Sequence, residues 1–228
     1  MPIYFNYGND IPLSVNSPNG GTVNILVDLD NTLIDSVKRL KLEMGVAAKF
    51  GVNAEDYWKA VDIAFAKYGV SGFSHQALFE GCRAIKPDFS AESLFEWRKV
   101  LEVKLFFPDT LIFLKHFKPE ELTLLTTGNP EFQWTKIITH GITKHFGKIF
   151  IANSPKAENI ERPPDKSFFI DDSPREIDAM KQCYPHVICL QVRTPAPWEK
   201  QKHSGCKDAH FRDLLGAYAF IREVELGA

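Results

Sequence analysis

The stretch TVNILVDLDNTL, residues 22–33, decides the fold. Its first part, TVNILVD (22–28), is a short apolar, β-branched run and reads as a buried strand. The strand runs directly into Asp28-Leu29-Asp30-Asn31-Thr32, which sets two carboxylates and a hydroxyl at its carboxyl end. Similar runs recur downstream: ELTLLT ending at Thr126, KIFIAN at Asn153, SFFID at Asp171 and HVICLQV at Val192. Helix-like stretches separate them at Asp109–His116, Glu131–His140 and Pro174–Cys183. Strands alternating with helices predict an α/β protein, a doubly wound parallel sheet with helices on both faces.

Residues 36–106 break that rhythm. SVKRLKLEMGVAAKF, AEDYWKAVDIAFAKY and SAESLFEWRKVLEVKLF carry apolar residues at helical spacing, and no strand pattern intervenes. Asn53-Ala54-Glu55-Asp56 and Ser90-Ala91-Glu92-Ser93 read as helix starts. The division expected is an Asn-, Pro-, Gly- and Ser-rich arm over 1–21, an α/β core over 22–35 and 107–228, and an all-helical cap over 36–106. The C-terminal FRDLLGAYAFIREVEL is expected as an amphipathic helix on the sheet edge.

The chain of 228 residues is long enough to bury such a core, and its net charge is −2. Scattered lysines and arginines at near-neutral balance give no field for steering nucleic acid or binding an anionic membrane, so neither is expected as a partner. No apolar run approaches the roughly 20 residues that span a bilayer. The N-terminal stretch lacks a basic start followed by an apolar segment, so a cytoplasmic protein is expected. The four cysteines, Cys82, Cys183, Cys189 and Cys206, form no CxxC pair and read as reduced, mostly buried thiols. Oligomeric state has no signature in the sequence.

In open parallel sheets, ligands bind just beyond the carboxyl ends of the strands. Gathered at that edge are Asp28 and Asp30, then Thr126-Thr127-Gly128-Asn129, then Asn153-Ser154-Pro155-Lys156, then Asp171-Asp172-Ser173. Carboxylates packed together repel, and at neutral pH they need a cation or shifted pKa values. An all-oxygen set without His or Cys favours a hard ion such as Mg²⁺. Such an ion, a lysine and backbone amides would attract a phosphate dianion. On an extended segment Asp28 and Asp30 would point the same way, one to attack and one to handle protons.

These residues resemble the four motifs of the haloacid dehalogenase superfamily, the aspartate-nucleophile phosphatases. The motifs stand here in that family's order as ILVDLDNTL, LTLLTTGN, Lys156 and FFIDDS, over about residues 22–192, with the helical insert where the family places its cap. The resemblance implies a phosphatase acting on a small phosphorylated metabolite. Asp28 would be the nucleophile, and Asp30 would protonate the leaving oxygen and then activate water. Thr126 would bind phosphoryl oxygens, with Thr127 as its rival one residue away, and Lys156 would balance their charge. Asp28, the backbone carbonyl of Asp30 and Asp172 would hold Mg²⁺, with Asp171 as a further ligand or behind it. Asp30 separates phosphoryl transfer from dehalogenation, because a departing halide needs no proton. A phosphomutase or other phosphotransferase of the same superfamily and a non-catalytic binding module on this fold are the alternatives.

Thr127, Gly128 and Asn129 are candidate substrate contacts on the core. On the cap, Phe73 in the glycine-bearing loop 69–73 and His75 are candidates to face the substrate, with Arg39, Arg83 and Lys86 as further polar possibilities. Trp58, Phe65, Phe79, Phe95 and Trp97 are expected in the cap's own core. Lys166 competes with Lys156 for the phosphate. It begins the strand ending at Asp171, however, and five residues at about 3.3 Å each place it roughly 16 Å from the catalytic edge. A lysine side chain reaches only about 6 Å, so Lys156 is the expected partner.

Overall fold

The computed structural model describes residues 3–4, 23–193 and 201–227. Seven strands form one sheet: β1 (Ile3–Tyr4), β2 (Asn24–Val27), β3 (Leu122–Thr127), β4 (Lys148–Ala152), β5 (Ser167–Asp171), β6 (Ile188–Val192) and β7 (Ala209–Phe211). Their order is β1-β4-β3-β2-β5-β6-β7. The six from β4 to β7 run parallel, and β1 pairs antiparallel with β4 through Ile3 opposite Ile151 and Tyr4 opposite Phe150. Within the expected N-terminal arm, Ile3–Tyr4 is therefore an edge strand.

Alternation along the strands produces the two layers. Ile25 and Val27, Leu122 and Leu124, Phe168 and Ile170, and Leu190 and Val192 share one face. Leu26, Leu125, Phe169 and Cys189 share the other. The first face is covered by α5 (Thr110–Leu114), α6 (Pro130–His140) and α8 (Leu214–Leu226) through Phe113, Ile137 and Ile221. The second is covered by α7 (Pro174–Cys183) through Ile177 and Met180. Both faces being buried is why these strands read as continuous apolar runs. The chain leaves β2 toward β3 and β4 on one side and returns to β5 on the other, so the strand order reverses beside β2. Val27 stands level with Leu124 and Ile170, which brings three strand ends to one edge at that reversal.

Four helices fill residues 36–101: α1 (Ser36–Lys49), α2 (Ala54–Gly72), α3 (His75–Ile85) and α4 (Glu92–Leu101). Asn53 caps α2 with its side chain, as its position in the sequence suggested, and Ser74 caps α3. The sequence reading had no helix at α3. Tyr57, Ala60, Leu78, Phe79 and Trp97 form a separate apolar core among these helices. Helices α2 and α3 approach so closely at Gly81 that a Cβ there would collide with the Ala60 carbonyl oxygen. The two chain segments joining cap to core lie side by side. Asp35 N donates to Leu105 O at 2.7 Å, and Phe107 N donates to Leu33 O at 3.3 Å. Among the described residues, no helix is long and apolar enough to cross a membrane.

Candidate active site

Strand β2 ends at Val27, Asp28 still bonds the neighbouring strand, and the chain turns at 31–33. Asp28 N donates to Ile170 O at 2.9 Å, Asn31 adopts a left-handed φ of 59°, and Leu33 and Ile34 N both return to Leu29 O at 3.0 Å. Leu29 and Leu33 are wholly buried and anchor this turn. Asp28 and Asp30 take different partners with their carboxylates.

Asp28 faces inward. Its Oδ1 lies 2.5 Å from Lys156 Nζ, which also lies 2.6 Å from Asp171 Oδ2. The second Asp171 oxygen accepts from Ser173 N at 2.8 Å. Asp28, Asp171 and Asp172 are all buried, and each offers a carboxylate oxygen within 4.8 Å of the others. Burial raises the Asp28 carboxyl above its ordinary range against the pull of Lys156, and neighbouring Asp30 adds to the rise. Burial likewise pushes Asp171 up to about 7, again against Lys156. Lys156 stays firmly protonated: burial disfavours its charge, but Asp171, Asp28 and Glu176 outweigh that. Among the described residues Lys156 is the ammonium in contact with Asp28 and Asp171, and three buried carboxylates offering only oxygen fit a hard divalent cation. Asp30 contributes no side-chain oxygen to this cluster, so a share in ion binding would fall to its backbone carbonyl.

Lys156 is held by its own backbone. It follows β4 in the short 3-10 turn Lys156–Asn159, and its N–H donates to Glu176 Oε2 at 2.7 Å while Ser154 Oγ donates to Glu176 Oε1 at 2.5 Å. Glu176, on the first turn of α7, is 3% exposed and thus fixes the loop that carries the lysine. Lys166 lies exposed before the start of β5, at the opposite end of the sheet.

Asp30 faces the cap. Lys136 Nζ sits 2.7 and 2.5 Å from its two oxygens. Gln133 Nε2 donates to Oδ2 at 3.0 Å, Ser36 Oγ donates to Oδ1, and the Arg39 guanidinium lies 3.7 Å away. Burial alone would raise this carboxyl; Lys136, with Arg39 and Ser36, holds it well below the ordinary carboxylate range. Burial in turn lowers Lys136 to about 8 against the attraction of Asp30. Gln133 also donates to Thr126 Oγ1 at 3.1 Å and to the Thr127 carbonyl, tying the end of β3 to Asp30. Gln133 and Lys136 were absent from the sequence reading. Their spacing of three on the helix that follows Thr126–Asn129 puts both on the face turned to the strand ends.

A cavity of about 390 Å³ opens from Asp30 toward the cap. Thr127, Gly128 and Asn129 line it from the core, and Arg39 and Phe73 from the cap. Asn129 caps α6 by accepting from Phe132 N at 3.0 Å, and its Nδ2 donates to Ser71 O at 3.1 Å, which links the core to the end of α2. That end is broken at Gly69, whose φ of 66° and ψ of −177° suit glycine alone. His75 is not among the lining residues. Its Nε2 meets Glu43 Oε1 at 3.0 Å, and its ring packs against Trp97 and Phe132. Arg83 bonds Pro87 O at 3.2 Å, and Lys86 pairs with Asp88 at 2.9 Å, both away from the cavity. Of the five aromatics expected in the cap core, Phe79 and Trp97 are buried there, whereas Phe95 is exposed and Trp58 and Phe65 line the cavity. All four cysteines are free thiols; Cys82 and Cys189 are buried, and Cys183 and Cys206 are exposed.

A doubly wound sheet with a four-helix insert after its first parallel strand, and an acidic edge closed by a lysine, is the haloacid dehalogenase-like fold. A haloacid dehalogenase-like hydrolase from Burkholderia xenovorans LB400 superposes with a TM-score of 0.68 at 20% identity, covering 92% of this chain and 99% of that one. The HAD-hydrolase YfnB from Bacillus subtilis, in a structure bound to magnesium, matches with a TM-score of 0.59 at 14% identity over 87% and 97%. L-2-haloacid dehalogenase from Xanthobacter autotrophicus matches with a TM-score of 0.62 at 13% identity over 89% and 98%. No protein-family model matches the chain, and no curated protein sequence does. At these identities the likeness is one of fold, and the reaction has to be argued from the side chains.

Proposed function

We propose that this chain is a magnesium-dependent phosphatase that hydrolyses a small phosphorylated metabolite through an aspartyl-phosphate on Asp28. The observation that carries the reading is the division of labour between two aspartates two residues apart. Asp28 lies with Lys156 and the acidic pair Asp171-Asp172, and Asp30 lines the cavity where a leaving group would sit. Nucleophile and proton carrier need different surroundings, and here they have them.

An Asp28 oxygen attacks phosphorus, the ester P–O bond breaks, and the departing oxygen takes a proton from Asp30. Water then gives its proton to Asp30 as it attacks the same phosphorus, and inorganic phosphate leaves Asp28. Lys156 favours the ionised form of Asp28 for attack and offsets phosphoryl charge, and Thr126 offers its hydroxyl to the phosphoryl oxygens. Asp28, Asp172 and Asp171, with the Asp30 backbone carbonyl, would hold Mg²⁺, which supplies further charge neutralisation on the transferring group. Lys136 favours the ionised form of Asp30, the form that serves as base; acting as acid requires Asp30 to leave Lys136 and take a proton.

Several structures of this fold are dehalogenases, but Asp30 argues for phosphate chemistry, since a halide departs without a proton. The test is hydrolysis of para-nitrophenyl phosphate in Mg²⁺ and in EDTA, beside halide release from 2-chloropropionate. Turnover of the phosphate ester in Mg²⁺ alone, lost in Asp28→Asn, is expected. Halide release without phosphate release would refute the reading.

A further inference from the structure

The cavity beside Asp30 has two kinds of lining, one charged and polar, one aromatic and apolar. Around Asp30 stand Lys136, Gln133, Ser36 and Arg39, all engaged with that carboxylate or one another. Its apolar lining is Trp58, Phe65, Val70 and Phe73, with Phe132 beside Arg39 and Lys136. Its volume of about 390 Å³ is in the range of small-molecule sites.

The placement of those aromatics is specific. Helix α2 buries Tyr57, Ala60, Val61 and Ala64 in the cap core. Trp58 and Phe65, two turns apart on a neighbouring face, are left 38% and 39% exposed over the cavity. Beyond them the chain breaks helix at Gly69 and brings Phe73 back so that its ring stacks on Phe65, with centroids 4.5 Å apart and planes 10° from parallel. The result is a stacked aromatic pair that lines the cavity together with Trp58, while Phe73 also packs against the cap core.

Polar groups near these aromatics are mostly engaged: Asn129 accepts from Phe132 N and donates to Ser71 O. The Tyr57 hydroxyl is taken by Glu43 at 3.3 Å, and Asp62 stands exposed at the rim. A polyol or sugar placed there would leave hydroxyl groups without partners, which is costly in an apolar surround. A ring would displace water from these aromatics and stack on them.

Resting on the phosphatase reading above, we propose that the substrate is a phosphate monoester of an alcohol that carries an aromatic ring, with the ring seated against Trp58, Phe65 and Phe73. The ester oxygen then lies at Asp30 and the phosphoryl group toward Asp28.

The test compares 2-phenylethyl phosphate with glycerol 3-phosphate on the Mg²⁺-loaded protein. Both leave as primary alcohols of similar basicity, so their ratio reports the cavity rather than the leaving group. A preference for the aromatic ester of about tenfold or more in kcat/KM is expected, equivalent to about 1.4 kcal/mol. In Phe65→Ala and Trp58→Ala that ratio should fall toward one, with unchanged far-UV circular dichroism showing that the variants fold. Binding of 3-phenylpropyl phosphonate and 3,4-dihydroxybutyl phosphonate, measured by calorimetry, gives the same comparison without turnover. Equal or reversed preference with both esters hydrolysed overturns the aromatic assignment and leaves the phosphatase reading standing. If neither ester is hydrolysed, the para-nitrophenyl phosphate assay above decides the phosphatase reading, and the ring site is upheld by an approximately tenfold tighter aromatic phosphonate and overturned by equal affinities.

Discussion

Replacing Lys156 by methionine removes the only ammonium that touches Asp28 and Asp171 among the described residues while keeping most of its volume. Lys156 is 2% exposed and Asp171 1%, so water cannot take over its role. In the metal-free variant the cluster sheds charge by binding a further proton. For a carboxyl with an ordinary value near 3.9, that costs at most about 4 kcal/mol at pH 7 and about 1.5 kcal/mol at pH 5. The upper figure agrees with the roughly 3–5 kcal/mol typical of breaking a buried ion pair. The pH sense follows from Asp171, whose folded-state value of about 7 lies above its unfolded one. Between the two the folded chain holds more protons, so its stability is full below about pH 4 and is lost as pH rises through about 7. Lys156→Met should steepen that loss. Thermal melts in EDTA should show a deficit of about 8–16 °C at pH 7 that shrinks to about 3–6 °C at pH 5, at roughly 2–4 °C per kcal/mol for a chain of this size. Added Mg²⁺ should narrow the gap at pH 7, and Lys166→Met should stay within about 0.5 kcal/mol of the native protein. A deficit that grows on acidification, or none at pH 7, would refute the charge arrangement described for this cluster.

Three further outcomes follow from the same geometry. Lys136→Met leaves Asp30 with Ser36, Gln133 and Arg39, so stability should fall by only about 1–2 kcal/mol while kcat drops about tenfold to a hundredfold through misplacement of Asp30; native kcat in this variant would remove Lys136 from any part in positioning. Gly69→Ala imposes a side chain at φ 66°, ψ −177°, which should cost about 1–3 kcal/mol and shift Phe73, raising KM more than it lowers kcat; an unchanged melting temperature would show that the break in α2 relaxes freely. Excess Ca²⁺ should inhibit the Mg²⁺-supported phosphatase, because its larger coordination shell draws in the Asp28 oxygen that must attack; equal rates with the two ions would exclude that competition.

What the sequence disclosed and what it withheld have distinct physical reasons. A strand buried on both faces shows itself as an apolar run, so β2 to β6 were legible, and so was the acidic edge, because strand ends are the only places where Asp28, Lys156, Asp171 and Asp172 could meet. β7 escaped because Ala209-His210-Phe211 has no such run and no fully buried residue. The two-residue β1 is too short to carry a period. Periodicity finds an apolar face on a helix but does not say what the face meets. Trp58 and Phe65 therefore looked like cap core, although α2 carries two apolar faces and turns one to the cavity. Lys136 was hidden for the opposite reason: a lysine on an amphipathic helix reads as solvated, and only the packing of α6 against the strand ends places the Asp30 carboxylate against it. The pairing of each aspartate with its own lysine is the decisive step from motif to mechanism. Two carboxylates at a spacing of two would repel across one face of a continuing strand. Here each has its own lysine, so that one can stay a buried nucleophile while the other addresses the cavity.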